Sequence, residues 1–248
     1  MKLRAIQHGQ VDSTQARAFA AITDGSARDG DVHVAEGQSA GLGRRGRSWF
    51  SPPTGGLYAS VILLQDGPPK APGAWTAAGS LALLDTLVPA GASSVHLKWP
   101  NDLVTPAGAK LGGVLAEARS VAGRPVMVLG MGLNVGRMGF PAELEQERPV
   151  IDLAGLGVDT SPQALLGPLL VALGARLEQA RGKARSLSVD FGAALALGSG
   201  ALRIETQSGV HEGQITALDL AGELALMATD GALVRVPVEH VTSIARIR

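Results

Sequence analysis

The apolar positions of this chain switch between two rhythms. A strand-like run at about 3 to 8 gives way to the Ala-rich "QARAFAAI", and Asp12, Ser13 and Thr14 ahead of it are residue types that cap helix N-termini, so a helix is expected from near Ser13. "DVHVAEGQ" (31 to 38) predicts a second strand, and "GGLYASVILLQ" (55 to 65), which mixes β-branched and aromatic residues, a third. "GAWTAAGSLALLDTLV" (73 to 88) is long and rich in Ala and Leu, as a helix with a buried face would be. Further strands are expected at 94 to 99, 111 to 118 and 125 to 135, and helices at 162 to 182 and 187 to 197. "QDGPPKAPG" has strong apolar elements on both sides and reads as a surface loop within one domain.

Beyond "LGSG" (197 to 200) the rhythm shortens to four or five strand-like runs, among them "ALRIETQ", "HEGQITALD", "ELALMAT" and "ALVRVPVEHVTSI", separated by "SG", "AG" and "DG" turns. A chain of 248 residues suits one large domain with a small appendage, so the division expected is 1–197 and 198–248. The second unit is too small to bury much alone and should pack on the first. Hydrophobic residues make up 46% of the chain but aromatics only 3%, so the core is expected to be mostly Ala, Val and Leu. Lys+Arg and Asp+Glu both number 22, a balance that disfavours bulk nucleic-acid binding. With no cysteine, disulfides, thiolate nucleophiles and cysteine metal sites are excluded; the five histidines show no metal-ligand spacing, and no structural metal is expected. No apolar run has signal-peptide or membrane-spanning length, and a soluble, cytoplasmic protein without membrane attachment is expected.

Against this neutral background "GLGRRGRSWF" (41 to 50) stands out. Gly41, Gly43 and Gly46 satisfy GxGxxG after an expected strand, and Asp66 follows 20 residues after Gly46, the pattern of a dinucleotide-binding fingerprint. The context rejects it. A parallel crossover needs a dozen or more residues and normally a helix, whereas only residues 47 to 56 separate Gly46 from Leu57, and Pro52, Pro53, Gly55 and Gly56 are among them. The GxxxxGK[ST] phosphate loop is absent too. A nucleic-acid grip would want basic residues elsewhere and interleaved aromatics, yet only Trp49 and Phe50 are near; the remaining reading is a solvated surface loop.

Three further segments change the balance. "KWPNDL" (98 to 103) sets Lys98, Asn101 and Asp102 around a proline beside Trp99; "KLGGVLAEA" (110 to 118) opens with Lys110 before two glycines; "LGMGLNVG" (129 to 136) interrupts a hydrophobic strand with Gly130 and Gly132 before Asn134. Glycines inside strands suggest close approach of a bound group or another backbone. In this order, "GQSAGLGRRGRSWFSPPTGGLYASVIL", "KWPNDL", "KLGGVLAE" and "GMGLNV" resemble the biotin protein ligase family, over about Asp12 to Gly136. The resemblance implies an α+β fold, a central mixed sheet flanked by helices of the class II synthetase-like kind, with a small C-terminal β-barrel. It implies an ATP-dependent, AMP-forming ligase that converts biotin and ATP, with Mg²⁺, to biotinyl-5′-adenylate and pyrophosphate and passes biotin to one lysine of a biotin carboxyl carrier protein.

By the same resemblance, Arg44, Arg47 and Lys110 hold carboxylate and phosphates within a glycine-rich loop that encloses the adenylate, and Asp102 orients or deprotonates the acceptor lysine, sides with the metal or partners Lys98. Ser13, Thr14, Gln38, Gly41, Leu42 and Gly113 line the biotin pocket with Arg44 and Lys110. Arg47, Trp49, Lys98, Asn101 and Asn134 serve the nucleotide, and Tyr58 is pocket wall or core. Two positions depart from the family's pattern: Leu42 stands where many members have Arg, and Gln15 where most have Asn. Rival readings are a lipoate or octanoate ligase of the same superfamily and a non-catalytic biotin-binding relative. The pattern begins by Asp12, so a monofunctional enzyme without an N-terminal DNA-binding domain or operator binding is expected, as monomer or homodimer.

Overall fold

The computed structural model describes residues 1–64, 72–197 and 200–247. Asp66, most of the "QDGPPKAPG" loop and the centre of "LGSG" lie outside the described residues. The main sheet has seven strands in the order β1-β2-β3-β7-β6-β5-β4: β1 (Arg4–Val11), β2 (Asp31–Gln38), β3 (Gly56–Leu64), β4 (His96–Lys98), β5 (Asp102–Val104), β6 (Lys110–Val121) and β7 (Arg124–Asn134). Only β1 and β2 pair in parallel, joined by α1 (Thr14–Thr23); the other neighbours are antiparallel. Because β2 and β3 are antiparallel, the loop between them is a hairpin connection and not a dinucleotide-binding crossover.

The side-chain alternation of β3 and β7 divides the helices between the two faces. Leu57, Ala59, Val61 and Leu63 with Met127, Leu129, Met131 and Leu133 belong to one large core, which includes residues of α2 (Pro72–Leu87), α4 (Pro162–Gly182) and α5 (Ala184–Ala194). The intervening Ile62, Val126 and Val128 pack with Ala18 and Phe19 of α1. Toward the other end of these strands, beyond the N-terminus of α1, the same alternation places Ser60, Gly130 and Gly132 on the α1 face. There the helix stops and the strands offer little side-chain bulk, so the sheet is left open.

The C-terminal residues form a five-stranded antiparallel sheet, β11-β10-β9-β8-β12, from β8 (Leu202–Thr206), β9 (Val210–Leu218), β10 (Glu223–Ala228), β11 (Leu233–Pro237) and β12 (Val241–Arg246). Its Leu202, Ile204, Leu224, Leu226, Val236 and Ile244 join the large core, and β9 meets α5, so it does pack on the main domain. Trp99 fastens the two: its Nε1 donates to the Val241 carbonyl at 3.0 Å, and its ring meets Phe191 edge-on at 6.0 Å. The expected elements are present with shifted ends; α5 begins at Ala184 rather than 187. Two went unexpected, β5, whose three residues are hidden in a turn-like "NDLV", and α3 (Ala142–Glu147), whose residues carry no apolar stripe.

Candidate functional site

A cavity of about 200 Å³ lies over the open part of the sheet. Its floor is the register of small residues that pairs Gly113 with Gly132 and Leu115 with Gly130, with Asp102 opposite Gly113. One wall is the start of α1. Ser13 caps the helix by accepting from the Gln15 amide at 3.2 Å and lines the cavity as well, so both expected roles coexist. Gln38 Oε1 accepts from the Thr14 amide at 2.8 Å and the Thr14 hydroxyl at 3.1 Å, while Gln38 Nε2 donates to Ser51 at 2.9 Å. The Thr14 hydroxyl also lies 2.8 Å from Ser60 Oγ, which donates to Gln15 Oε1 at 3.1 Å; Gln15 Nε2 donates to the Val128 carbonyl at 3.2 Å. These buried polar groups are mutually satisfied, which fixes their rotamers before any ligand arrives.

The opposite wall is cationic. Residues 41–49 fold back on themselves: Trp49 N donates to Gly41 O at 2.8 Å and Gly43 N to Arg47 O at 2.7 Å, around a tight turn at Arg44–Gly46 in which Arg45 is left-handed (φ 58°). Arg44 Nη1 reaches Asn101 Oδ1 at 3.2 Å, and Asn101 is itself anchored through Nδ2 to the Val114 carbonyl at 2.6 Å. Lys110 Nζ donates to Asp102 Oδ1 at 2.6 Å and stands 5.3 Å from the centre of the Trp49 ring. Burial lowers the Lys110 pKa and the positive charges of Arg148 and Arg47 add to this, while Asp102 opposes it. Arg44, Arg45, Arg47, Lys110 and Arg148 thus share the lining with one carboxylate, Asp102. Such a surplus suits a polyanion.

Most of the sequence-derived candidates converge here: Ser13, Thr14, Gln38, Leu42, Arg44, Arg47, Trp49, Asn101, Asp102, Lys110 and Gly113 all line the cavity. Four do not. Gly41 sits against the loop's own backbone, where a Cβ would come within 2.5 Å of Trp49 O. Lys98 is exposed and outside the cavity lining, and Asp102, for which pairing with Lys98 is one of three readings, is bonded to Lys110. Asn134 is buried and donates to Ile151 O at 2.9 Å, holding the 149–151 segment beside the start of β6. Tyr58 is a core residue whose hydroxyl donates to Pro52 O at 3.2 Å; burial pushes its pKa up. The strand glycines make room for side chains: a Cβ at Gly130 would lie 2.6 Å from Gln15 Oε1, and one at Gly132 the same distance from the Trp49 ring. Sequence reasoning missed Ser60, Arg148 and Thr242 as lining residues. Ser60 stands inside the quoted motif on an apolar strand that gave it no individual signal, whereas Arg148 and Thr242 belong to segments without a local signature and arrive by long-range packing, Thr242 from the C-terminal sheet. Among the described residues no group of three His, Asp or Glu could cage a metal, and no helix is long and apolar enough to cross a membrane.

The profile described as the biotin/lipoate A/B protein ligase family matches residues 9–134, half of the chain. The chain belongs to this family. Among curated relatives of this ligase-family protein, the biotin–[acetyl-CoA-carboxylase] ligase of Mycobacterium tuberculosis is 36% identical over 206 residues, covering 81% of this chain and 74% of that one. The bifunctional ligase/repressor BirA of Escherichia coli is 36% identical over 170 residues, and there the match spans 68% of this chain and about half, 51%, of the relative. The biotin protein ligase of Aquifex aeolicus, solved in complex with biotin and ATP, superposes with a TM-score of 0.78 at 23% identity, over 98% of this chain and 99% of that one. That similarity establishes the biotin-ligase fold for the ligase-family chain, mixed sheet and C-terminal five-stranded sheet together.

Proposed function

We propose that this chain is a biotin protein ligase: it activates biotin with ATP to biotinyl-5′-adenylate and transfers the biotinyl group to a lysine of a biotin carboxyl carrier protein. The observation that carries the reading is the juxtaposition, in one cleft, of a pre-bonded polar wall and a cationic wall. Ser13, Thr14 and Gln38 offer a small polar set for a ureido ring. Lys110, Arg44 and Arg47 face it across the glycine floor, where a carboxylate and a phosphate must be brought together against their mutual repulsion.

In the first step a biotin carboxylate oxygen attacks the α-phosphorus of ATP and pyrophosphate leaves. Lys110, kept in place by Asp102, and the two arginines hold the charge that spreads over the phosphate oxygens. A fixed cation about 4 Å from that charge is worth on the order of 4 kcal/mol near a protein surface, which is why removing one should matter. Asp102, the lining carboxylate, would hold a Mg²⁺ ion bound with ATP, which would supply positive charge to the triphosphate. Trp49, packed against Gly132 and lining the cleft, is the aromatic placed to pack beside the adenine. In the second step the acceptor amine attacks the acyl carbon and AMP leaves; Asp102, held in position by Lys110, takes the amine's proton. Residues 1–197 carry this chemistry, and 198–248 close the cleft's rim through Thr242.

Support also comes from the relatives named as biotin–[acetyl-CoA-carboxylase] ligases and from the family match. The test is pyrophosphate release from ATP, Mg²⁺ and biotin by the purified protein and by Lys110→Ala. The wild type should release pyrophosphate only when biotin is present, and the variant should be slower by about 10²- to 10³-fold. Equal rates in both proteins would remove Lys110 from the mechanism; no release by the wild type would remove the ligase.

A further inference from the structure

We propose that Arg148 is a phosphate-binding residue of this cleft, holding the β- and γ-phosphates of ATP and the pyrophosphate that leaves. The inference rests on the ligase reading and names a group that reading does not use. Arg148 follows α3 on the segment that returns to the sheet: Lys110 N donates to Pro149 O at 2.9 Å and Ile151 N to Lys110 O at 3.0 Å, so residues 149–151 run alongside the start of β6. This delivers the Arg148 side chain into the cleft next to Lys110, close enough for its charge to act on that amine.

Its guanidinium is a set of donors without acceptors. Among the described residues it makes no hydrogen bond or ion pair, and its Nε is shut away from solvent with nothing to donate to. Five N–H donors with one sealed and unmatched is a costly arrangement in a free protein, and an incoming anion resolves it. The backbone of Arg148 needs no help from the side chain, since its N–H is satisfied by Leu144 O at 3.1 Å. Charge points the same way. Asp102 neutralises Lys110, which leaves Arg44, Arg45, Arg47 and Arg148 unmatched in the lining. The adenylate's phosphate carries a single negative charge, far short of that surplus. The more highly charged pyrophosphate portion of ATP accounts for it, and a planar guanidinium fork matches a terminal phosphate better than an ammonium does.

The test is calorimetric binding of inorganic pyrophosphate with Mg²⁺, and separately of biotin, to the wild type, Arg148→Gln and Arg148→Lys, together with KM for ATP in adenylate formation. Arg148→Gln should bind pyrophosphate about 10- to 100-fold more weakly and raise the KM for ATP by a similar factor, with the biotin Kd within about twofold of wild type. Arg148→Lys should recover part of the loss. Wild-type failure to bind pyrophosphate, or Arg148→Gln binding it within about twofold of wild type, overturns the proposal. So does a loss of biotin and pyrophosphate binding together, which would mark a structural role. Failure of the ligase reading is a separate result: pyrophosphate binding that depends on Arg148 in a protein that transfers no biotin.

Discussion

Gly132→Ala places one methyl group where the Trp49 ring now lies. A Cβ at this position would be 2.6 Å from the ring's Cε2 and 2.7 Å from Nε1, whereas ordinary van der Waals contact begins near 3.4 Å, so the ring must withdraw by about 0.8 Å. Gly132 cannot yield instead, because it is paired on both sides, with Tyr58 of β3 and Gly113 of β6. Trp49 can, since its ring belongs to the 41–49 loop, which is held by single side-chain bonds, Arg44 to Asn101 and Ser51 to the Trp49 carbonyl, and not by a strand ladder. The strain is therefore relieved by moving the loop, and stability should fall by no more than about 1 kcal/mol, the low end for overpacking. Function should suffer more. A displacement of this size at a substrate-positioning group costs about 10- to 100-fold, and Trp49 also stands over the Lys110 ammonium. Steady-state kinetics of biotin-dependent pyrophosphate release should show the larger loss in kcat/KM for ATP and a smaller one in biotin affinity, because the Thr14, Gln38 and Ser60 network reaches the Trp49 backbone through Ser51 but does not bond its ring. Wild-type kinetics toward ATP in Gly132→Ala would refute the role given to the ring. A large drop in melting temperature would refute the division between rigid sheet and yielding loop.

Three other outcomes are expected. Asn101→Ala removes the acceptor that holds Arg44 and should speed release of the biotinyl-adenylate by about 10-fold in a single-turnover retention assay, the loss of one hydrogen bond to a charged group. Asp102→Asn keeps the shape but loses the charge beside Lys110; adenylate formation should fall less than transfer, which a burst experiment with and without acceptor separates. Stability should decline as pH falls below about 6.5, the ordinary histidine value. His33 is buried, its Nδ1 3.0 Å from His8 Nε2, and its pKa is lowered chiefly by burial and then by the charge of His8. A depressed folded-state pKa means that the unfolded chain takes up the proton first. The stabilisation is thus complete above the unfolded value and is lost as pH drops toward the folded one, with a slope of at most about 1.4 kcal/mol per pH unit per histidine. Denaturant titrations of His33→Leu between pH 7.5 and about 5.5 should show a flatter dependence than wild type; an unchanged slope would assign the effect elsewhere.

What was legible in the sequence was what local pattern can carry. The helix expected at 162–182 appears with those ends, capped by Ser161 with Pro162 in its first turn. The glycine and arginine positions of 41–47 were rightly separated from a dinucleotide fold by the short, proline-containing stretch between them and the next strand, and β2 and β3 are indeed antiparallel. Roles that depend on who lies opposite whom were not legible. Asp102 could as well have partnered Lys98, its register neighbour on β4, as Lys110, which it binds; both cations are near in the sequence and nothing in the local pattern decides between them. The glycines at 130 and 132, read as room for a ligand or backbone, line the cavity and also make room for Gln15 and Trp49, which the pattern did not indicate. Gln15 in particular is a structural anchor, its amide bonded to Val128 and Ser60. Arg148 gave no signal at all, since its place in the cleft comes from the return of the chain alongside Lys110.

The most direct test of the central claim offers the purified protein ATP, Mg²⁺, a biotin carboxyl carrier domain and an equimolar mixture of biotin and lipoate, and identifies by intact mass the group attached to the acceptor lysine. The polar wall of Ser13, Thr14 and Gln38 facing Lys110 and the arginines predicts biotin alone on the acceptor, with one pyrophosphate released per group transferred. Lipoate on the acceptor, or no acylation while biotin still binds, would contradict it.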